Sequence, residues 1–276
     1  ASDVYKRQII HYIHIVRGQY MQSTKEFRQK VRTGEWVSQT SGVEYDIVQT
    51  NVVILPKEYA FDFLLFCQRN PKSCPIIEVL NPGQFEPINS APQADIRTDI
   101  PRYNIYRDGV FVEEVFSIEK YWTDDLVTFL LGCSFTFEHA LLQSGIHLRH
   151  IEQSKNVAMY KTNISTETSG KFHGPLVVSM RPIKKDRIID SVVITSKLER
   201  AHGAPLHIGS PKEIGIKDIT NPDYGEFVDI ADDEEPVFWA CGVTPQAVAL
   251  DSKPSLMITH SPGHMFVTDL VSDDIK

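Results

Sequence analysis

The segment Leu131-Gly132-Cys133-Ser134-Phe135-Thr136-Phe137-Glu138 points most directly to chemistry. A glycine turn delivers Cys133 and Ser134 to the start of a predicted helix. Free backbone N–H groups and the helix dipole there favour an anion and can lower a thiol's pKa. The plainer alternative makes Ser134 an N-cap and Cys133 a packing residue. Glu138 follows Ser134 by four residues, so a reciprocal capping box, which needs three, fits poorly. Glu138 is therefore a candidate proton carrier, and His150 is a second one. Arg149-His150 and Met180-Arg181-Pro182 each put an arginine at an element end, and a planar guanidinium suits a ligand carboxylate.

Other constellations are less specific. In Asp95-Ile96-Arg97-Thr98-Asp99 one cation stands between two carboxylates, and in an extended segment all three point the same way. The pattern reads first as an ion-pair knot holding a loop and second as a substrate clamp using Arg97. His202 and His207 are five apart, so a strand would send them to opposite faces and they would not share a metal, while each could act alone as acid or base. His260 and His264 enclose Pro262-Gly263, which prevents helical pairing, and no metal site is expected. Phe238–Gln246 runs from a buried strand into a turn and a short helix. Strand ends in open α/β sheets are where ligands bind, and Thr244 and Gln246 offer neutral hydrogen bonds there.

The elements that must position these groups follow from periodicity and breakers. Ser23–Thr33 reads as an amphipathic helix, Asn51–Leu55 as a buried strand and Lys57–Arg69 as a helix opened by Pro56 and closed by Asn70-Pro71. With a strand at Pro75–Leu80 this makes a βαβ pattern. Asp108-Gly109 joins a hairpin of 103–106 and 110–115. Trp122–Leu131 and Phe135–Gln143 read as helices, Val157–Thr162 and Leu176–Met180 as strands, and Lys184–Leu198 as either. From His202 onward, short apolar pieces between Gly and Pro read as loops gathered over a sheet, and no internal repeat is apparent. The expected class from these elements is α/β with some antiparallel pairing, a main sheet plus a smaller lobe.

Composition bounds the function. The 276 residues are 42% hydrophobic and 23% charged, as in an ordinary globular protein. A net charge of −8 gives no reason to expect nucleic acid as a partner. Cys67, Cys74, Cys133 and Cys241 form no C-x-x-C pair, so zinc-ribbon and thioredoxin readings lack support and a reducing compartment is expected. No apolar run approaches the roughly 20 residues of a membrane span. Nucleotide-binding glycine motifs and the G-x-S-x-G elbow are absent. Asp3-Val4-Tyr5-Lys6-Arg7-Gln8 matches the translation of a common sequencing-library adapter, so residues 1–22 are set aside as an artefactual, unstructured start and 23–276 are taken as a single unit.

Taken in order, these segments resemble a known family. Val48-Gln49-Thr50-Asn51, Phe66-Cys67-Gln68-Arg69-Asn70-Pro71, Asp95–Asp99, Leu130–Phe135, Arg149-His150, Met159–Asn163, Val178–Pro182, His202–Pro205 and Val237–Gln246 are similar to the hydro-lyase family that includes D-glutamate cyclase. The resemblance runs from about Phe27 to the carboxy-terminus. It implies a two-part α/β fold, a three-layer α/β/α sandwich with a mixed sheet plus a smaller two-layer α+β lobe around residues 95–175, no cofactor, and conversion of D-glutamate to 5-oxo-D-proline and water. Animal relatives look mitochondrial and carry an extra carboxy-terminal domain, whereas this chain looks like the single-unit bacterial type, with a cytoplasmic location. The expected partner is a small carboxylate, with neither nucleic acid nor membrane, and a homo-oligomer stays open. Two other readings are kept: a different small-acid hydro-lyase or 5-oxoproline hydrolase, and a non-catalytic amino-acid-binding protein. The site assignments come from the residues alone. Cys133, Glu138, His150 and His202 are candidates for catalysis, and Ser134, Arg149, Arg181, Arg97, Thr244 and Gln246 for substrate binding.

Overall fold

A computed structural model describes residues 23–40, 43 and 46–275. The set-aside start, 1–22, lies outside the described residues. Helix α1 (23–32) places Phe27 and Val31, one turn apart, against Ile47, Val267 and Val271. The chain then forms β1 (Ile47–Pro56), α2 (Lys57–Arg69), β2 (Ile76–Val79), β3 (Tyr103–Arg107), β4 (Val110–Val115), β5 (Leu126–Gly132), α3 (Phe135–Gln143) and α4 (Arg149–Glu152). It continues through β6 (Ala158–Ser165), β7 (Pro175–Lys184), α5 (Ile188–Ser196), β8 (His207–Ile208), β9 (Glu234–Ala240), α6 (Val243–Asp251), β10 (Met257–His260) and β11 (Phe266–Val271).

Two sheets organise these elements. A seven-stranded sheet has the order β2-β5-β1-β10-β3-β4, with β11 also paired to β1, and a four-stranded sheet has the order β6-β7-β9-β8. Every residue of β1 and β5 is buried because the large sheet is covered on both faces. Val52, Ile54 and Leu130 pack beneath the irregular segment 81–100, while Val53, Leu55 and Phe129 meet Phe63 and Phe66 of α2 and Val248 of α6. Helices α3 and α5 pack on the small sheet through Phe137, Leu141, Ile194 and Trp239.

The α/β class expected from the sequence holds, with corrections inside it. Adjacent strands pair antiparallel, where a mixed sheet was expected. Strands β1 and β2 do run in the same direction, as a βαβ unit requires, but β5 inserts between them. The expected helix at Trp122–Leu131 is strand β5, because a run buried on both faces carries no period that separates helix from strand. Strands β10 and β11 lie where only covering loops were expected. Residues 95–175 contribute β3, β4 and β5 to the large sheet and β6 to the small one. The Asp108-Gly109 turn does form, both residues having positive φ.

Gly132 closes β5 where the backbone of Arg200 crosses it. A Cβ built there would stand 1.7 Å from the Arg200 carbonyl oxygen. Gly132→Ala must therefore move a backbone segment. The expected cost is about 3 kcal/mol, the upper end for overpacking, read as a lowered urea midpoint with an unchanged slope.

Candidate active-site cleft

Strands β5 and β9 belong to different sheets, yet each ends in a cysteine that starts a helix. Cys133 precedes α3 and Cys241 precedes α6, and both line one cleft. Each sulfur accepts the backbone N–H of the residue two positions on, Phe135 or Val243. Burial pushes the thiols up, to about 12 for Cys133 and about 11 for Cys241, so both are protonated at neutral pH. Two helix N-termini thus point into one space, and their dipoles favour an anion there.

The rest of the wall is polar and uncharged. Asn51 of β1, Ser134, Gln246 and His260 line it together with apolar side chains, and none of the described lining residues is Lys, Arg, Asp or Glu. Asn51 Nδ2 donates to the Gly132 carbonyl at 2.7 Å. The carboxamide lies so close to the second helix start that a Cβ on Gly242 would fall 2.1 Å from Nδ2. At His260 the Val52 N–H donates to Nδ1 at 3.1 Å, which leaves the ring proton on Nε2; the competing contact from Nδ1 to the Val52 carbonyl is longer, at 3.5 Å. Gln246 Nε2 lies 3.1 Å from Nδ1 and 3.4 Å from Nε2. Burial lowers His260 to about 4, so a neutral imidazole faces the ligand space.

Behind Cys133 and Ser134 stands a buried ionic cluster. Arg181 of β7 donates through Nε to Glu138 Oε1 at 2.9 Å and through Nη2 to the same oxygen. Its Nη1 reaches Ser179 Oγ at 2.9 Å and its Nη2 reaches Ser134 Oγ at 3.1 Å. The guanidinium lies 4.8 Å from the Phe137 ring centroid and 5.6 Å from that of Trp239. His150 Nε2 sits 3.1 Å from Glu138 Oε1. Burial pushes the Glu138 carboxyl up, but the charges of Arg181 and His150 outweigh it and hold the group at about 2.

The sequence-derived candidates therefore divide. Cys133, Ser134 and Gln246 line the cleft. Glu138, His150 and Arg181 meet one another in the cluster behind it and are not among the lining residues. Arg149 pairs with Glu234 at 2.8 Å. Arg97 pairs with Asp95 at 2.7 Å and stacks on Phe85, forming the ion-pair knot, while Asp99 binds Arg32. Thr244 fastens α6 to β7 by accepting the Val177 N–H and donating to its carbonyl. His202 lines a separate cleft with Nδ1 2.7 Å from the Lys72 carbonyl. Sequence reasoning missed Asn51, Cys241 and His260 as wall residues. Only for Cys241 was there a signal, a strand-end cysteine before a short helix.

The sequence profile described as D-glutamate cyclase matches residues 127–269, from β5 through both helix starts to β11. A protein of Geobacillus kaustophilus is 56% identical over 253 residues, covering 92% of this chain and 96% of its own. Proteins of Natranaerobius thermophilus and Staphylococcus haemolyticus are each 55% identical, covering 91% and 93% of this chain and 96% and 99% of theirs. The chain belongs to the D-glutamate cyclase family. All three relatives bear the name "Putative hydro-lyase". Among solved structures, a nitrogen repressor-like protein of Methanococcus jannaschii superposes with a TM-score of 0.38 at 13% identity, covering 89% of this chain and 96% of that one, and this likeness carries no argument. No helix among the described residues is long and apolar enough to cross a membrane.

Two consequences can be measured. Glu138→Gln leaves the Arg181 charge buried without its counter-ion, and the expected loss is about 3–5 kcal/mol of unfolding free energy by urea titration. His202 and His260 are both lowered by burial from 6.5 to about 4. The unfolded chain then takes up protons before the folded one does. Stability is therefore full above about pH 6.5 and falls as the pH drops toward 4, by about 3 kcal/mol for each histidine. Urea titrations at pH 7 and pH 4.5 check the slope, and His260→Asn should flatten it.

Proposed function

We propose that the protein is a hydro-lyase that closes D-glutamate to 5-oxo-D-proline, releasing water, in the cleft between Cys133 and Cys241. The observation that carries this reading is the convergence of two helix N-termini on one uncharged cleft. A ligand with two carboxyl groups matches two such termini without any arginine. Glutamate is the smallest common amino acid whose two carboxyl groups and amine can close a five-membered ring.

Cyclisation requires the α-amine to attack the γ-carboxyl carbon as a free amine and an oxygen to leave as water. The ammonium carries the two protons that the departing oxygen needs, so the reaction balances without an external acid, reductant or cofactor. An uncharged, desolvating cleft disfavours the zwitterion and favours the reactive pair of free amine and protonated carboxyl. The N–H groups of Ser134 and Gly242 hold the two carboxyl groups, and the neutral His260 and Gln246 side chains serve the oxygens of the tetrahedral intermediate. Cys133, as a thiol, passes the proton to the departing hydroxyl. Glu138, His150 and Arg181 act as positioning residues that fix Ser134 and the start of α3. Residues 23–276 act as one unit, and a cytoplasmic setting suits four free thiols.

A proton NMR time course with D-glutamate, L-glutamate and enzyme-free samples tests the reading. Faster formation of 5-oxoproline from the D-isomer than from the L-isomer is the expected result; no product from either isomer in a folded protein overturns it. His260→Phe should lower kcat about 100-fold, the scale of one lost oxyanion donor, with KM little changed.

A further inference from the structure

The two helix starts are more alike than a shared cleft requires. Gly132-Cys133-Ser134-Phe135-Thr136-Phe137-Glu138 and Ala240-Cys241-Gly242-Val243-Thr244-Pro245-Gln246 match position for position: a small residue, the cysteine, a small residue, an apolar residue, threonine, an apolar residue and a glutamyl-type side chain. Each begins at the end of a strand and runs into a nine-residue helix. In both units the first three residues from the cysteine onward line the cleft, and in both the sulfur accepts the N–H two residues ahead. Burial raises both thiols, and the Arg181 guanidinium opposes that rise at both sulfurs. A pocket walled by two equivalent half-sites complements a reacting atom with two equivalent faces. A planar carbanion is such a centre.

Of the described lining residues, only Cys133, Cys241 and His260 titrate. His260 is committed as a neutral donor by the Val52 N–H on its Nδ1. Proton exchange at carbon therefore falls to the two sulfurs.

We propose that Cys133 and Cys241 form a two-sided acid–base pair that removes and returns the α-hydrogen of the bound amino acid or its cyclic product, so that the protein also inverts the α-carbon. One cysteine, having lost its proton to solvent, takes the α-hydrogen as a proton; the C–H bond breaks and an S–H bond forms. The electron pair passes into the α-carboxylate as an enediolate, held by the N–H group of Ser134 or Gly242. The opposite thiol gives its proton to the other face, re-forming C–H and leaving a thiolate there. The two sulfurs have then exchanged roles, and no electron acceptor is consumed. The amine nitrogen is bonded to the α-carbon and, after ring closure, to the former γ-carboxyl carbon, so a thiol placed for one carbon reaches the other.

The inference rests on a glutamate-derived acid occupying this cleft, and one experiment separates it from the cyclase reading. The full chain is incubated in deuterium oxide with each enantiomer of glutamate and of 5-oxoproline. Loss of the α-proton signal is followed by NMR and enantiomer content by chiral chromatography. The expected result is α-deuteration with appearance of the opposite enantiomer. Cys133→Ser and Cys241→Ser should each slow inversion roughly 100-fold or more, the scale of general acid–base catalysis, with native far-UV circular dichroism. Cyclisation with the α-proton fully retained overturns the pair and leaves the cyclase reading standing. Inversion without cyclisation sustains the pair and removes the cyclase reading, whereas neither reaction removes both. Deuteration with complete retention of configuration, or undiminished inversion in Cys241→Ser, also overturns the pair.

Discussion

The contact between Arg181 and Glu138 is the constraint on which the site depends. Arg181 stands on a central strand of the small sheet, and Glu138 lies on the helix that the large sheet delivers through β5. The cation is fully buried, so its desolvation must be met by the carboxylate, by two serine hydroxyls and by the faces of Phe137 and Trp239. An ion pair of this kind contributes little net stability compared with an apolar pair, but it tolerates one geometry only. It sets where α3 begins, and hence where Cys133 and Ser134 stand relative to Cys241.

With that anchoring, none of the described residues lining the cleft is an arginine. The three arginines that the sequence offered for substrate binding are committed to acids: Arg181 to Glu138, Arg149 to Glu234 and Arg97 to Asp95. Positive potential comes instead from backbone dipoles, which cannot be neutralised by a stray side chain and need no rotamer ordering when the ligand arrives. The cleft thus combines two helix dipoles with a wall that is uncharged among the described residues.

Much of this architecture was legible in the sequence wherever a local rule decided it. Pro56 and Asn70-Pro71 bracket α2, Asp108-Gly109 turns the β3–β4 hairpin, and the Gly132-Cys133-Ser134 break starts α3. Local rules failed where burial on both sides erased the period, as in β5, and where short strands borrow their identity from neighbours, as in β10, which pairs with β1 and β3. Which candidate side chains meet in space was hidden for a related reason. A sequence shows that an arginine stands at an element end, but not whether an acid some 40 residues away will occupy it, as Glu138 does for Arg181. His260 and Asn51 belong to the cleft only because β10 and β1 lie side by side, a pairing between positions more than 200 residues apart.

The packing of Asn51 over Gly242 also sets an order on how this chain can change. The carboxamide occupies the volume that any side chain at 242 would need. A substitution at 242 is therefore closed while asparagine stays at 51. If residue 51 shrinks first, the space opens and larger residues at 242 become accessible; in the reverse order the path runs through a steric collision. The two sites behave as one evolutionary unit with a direction, in which the residue on the central strand must move before the helix start can vary.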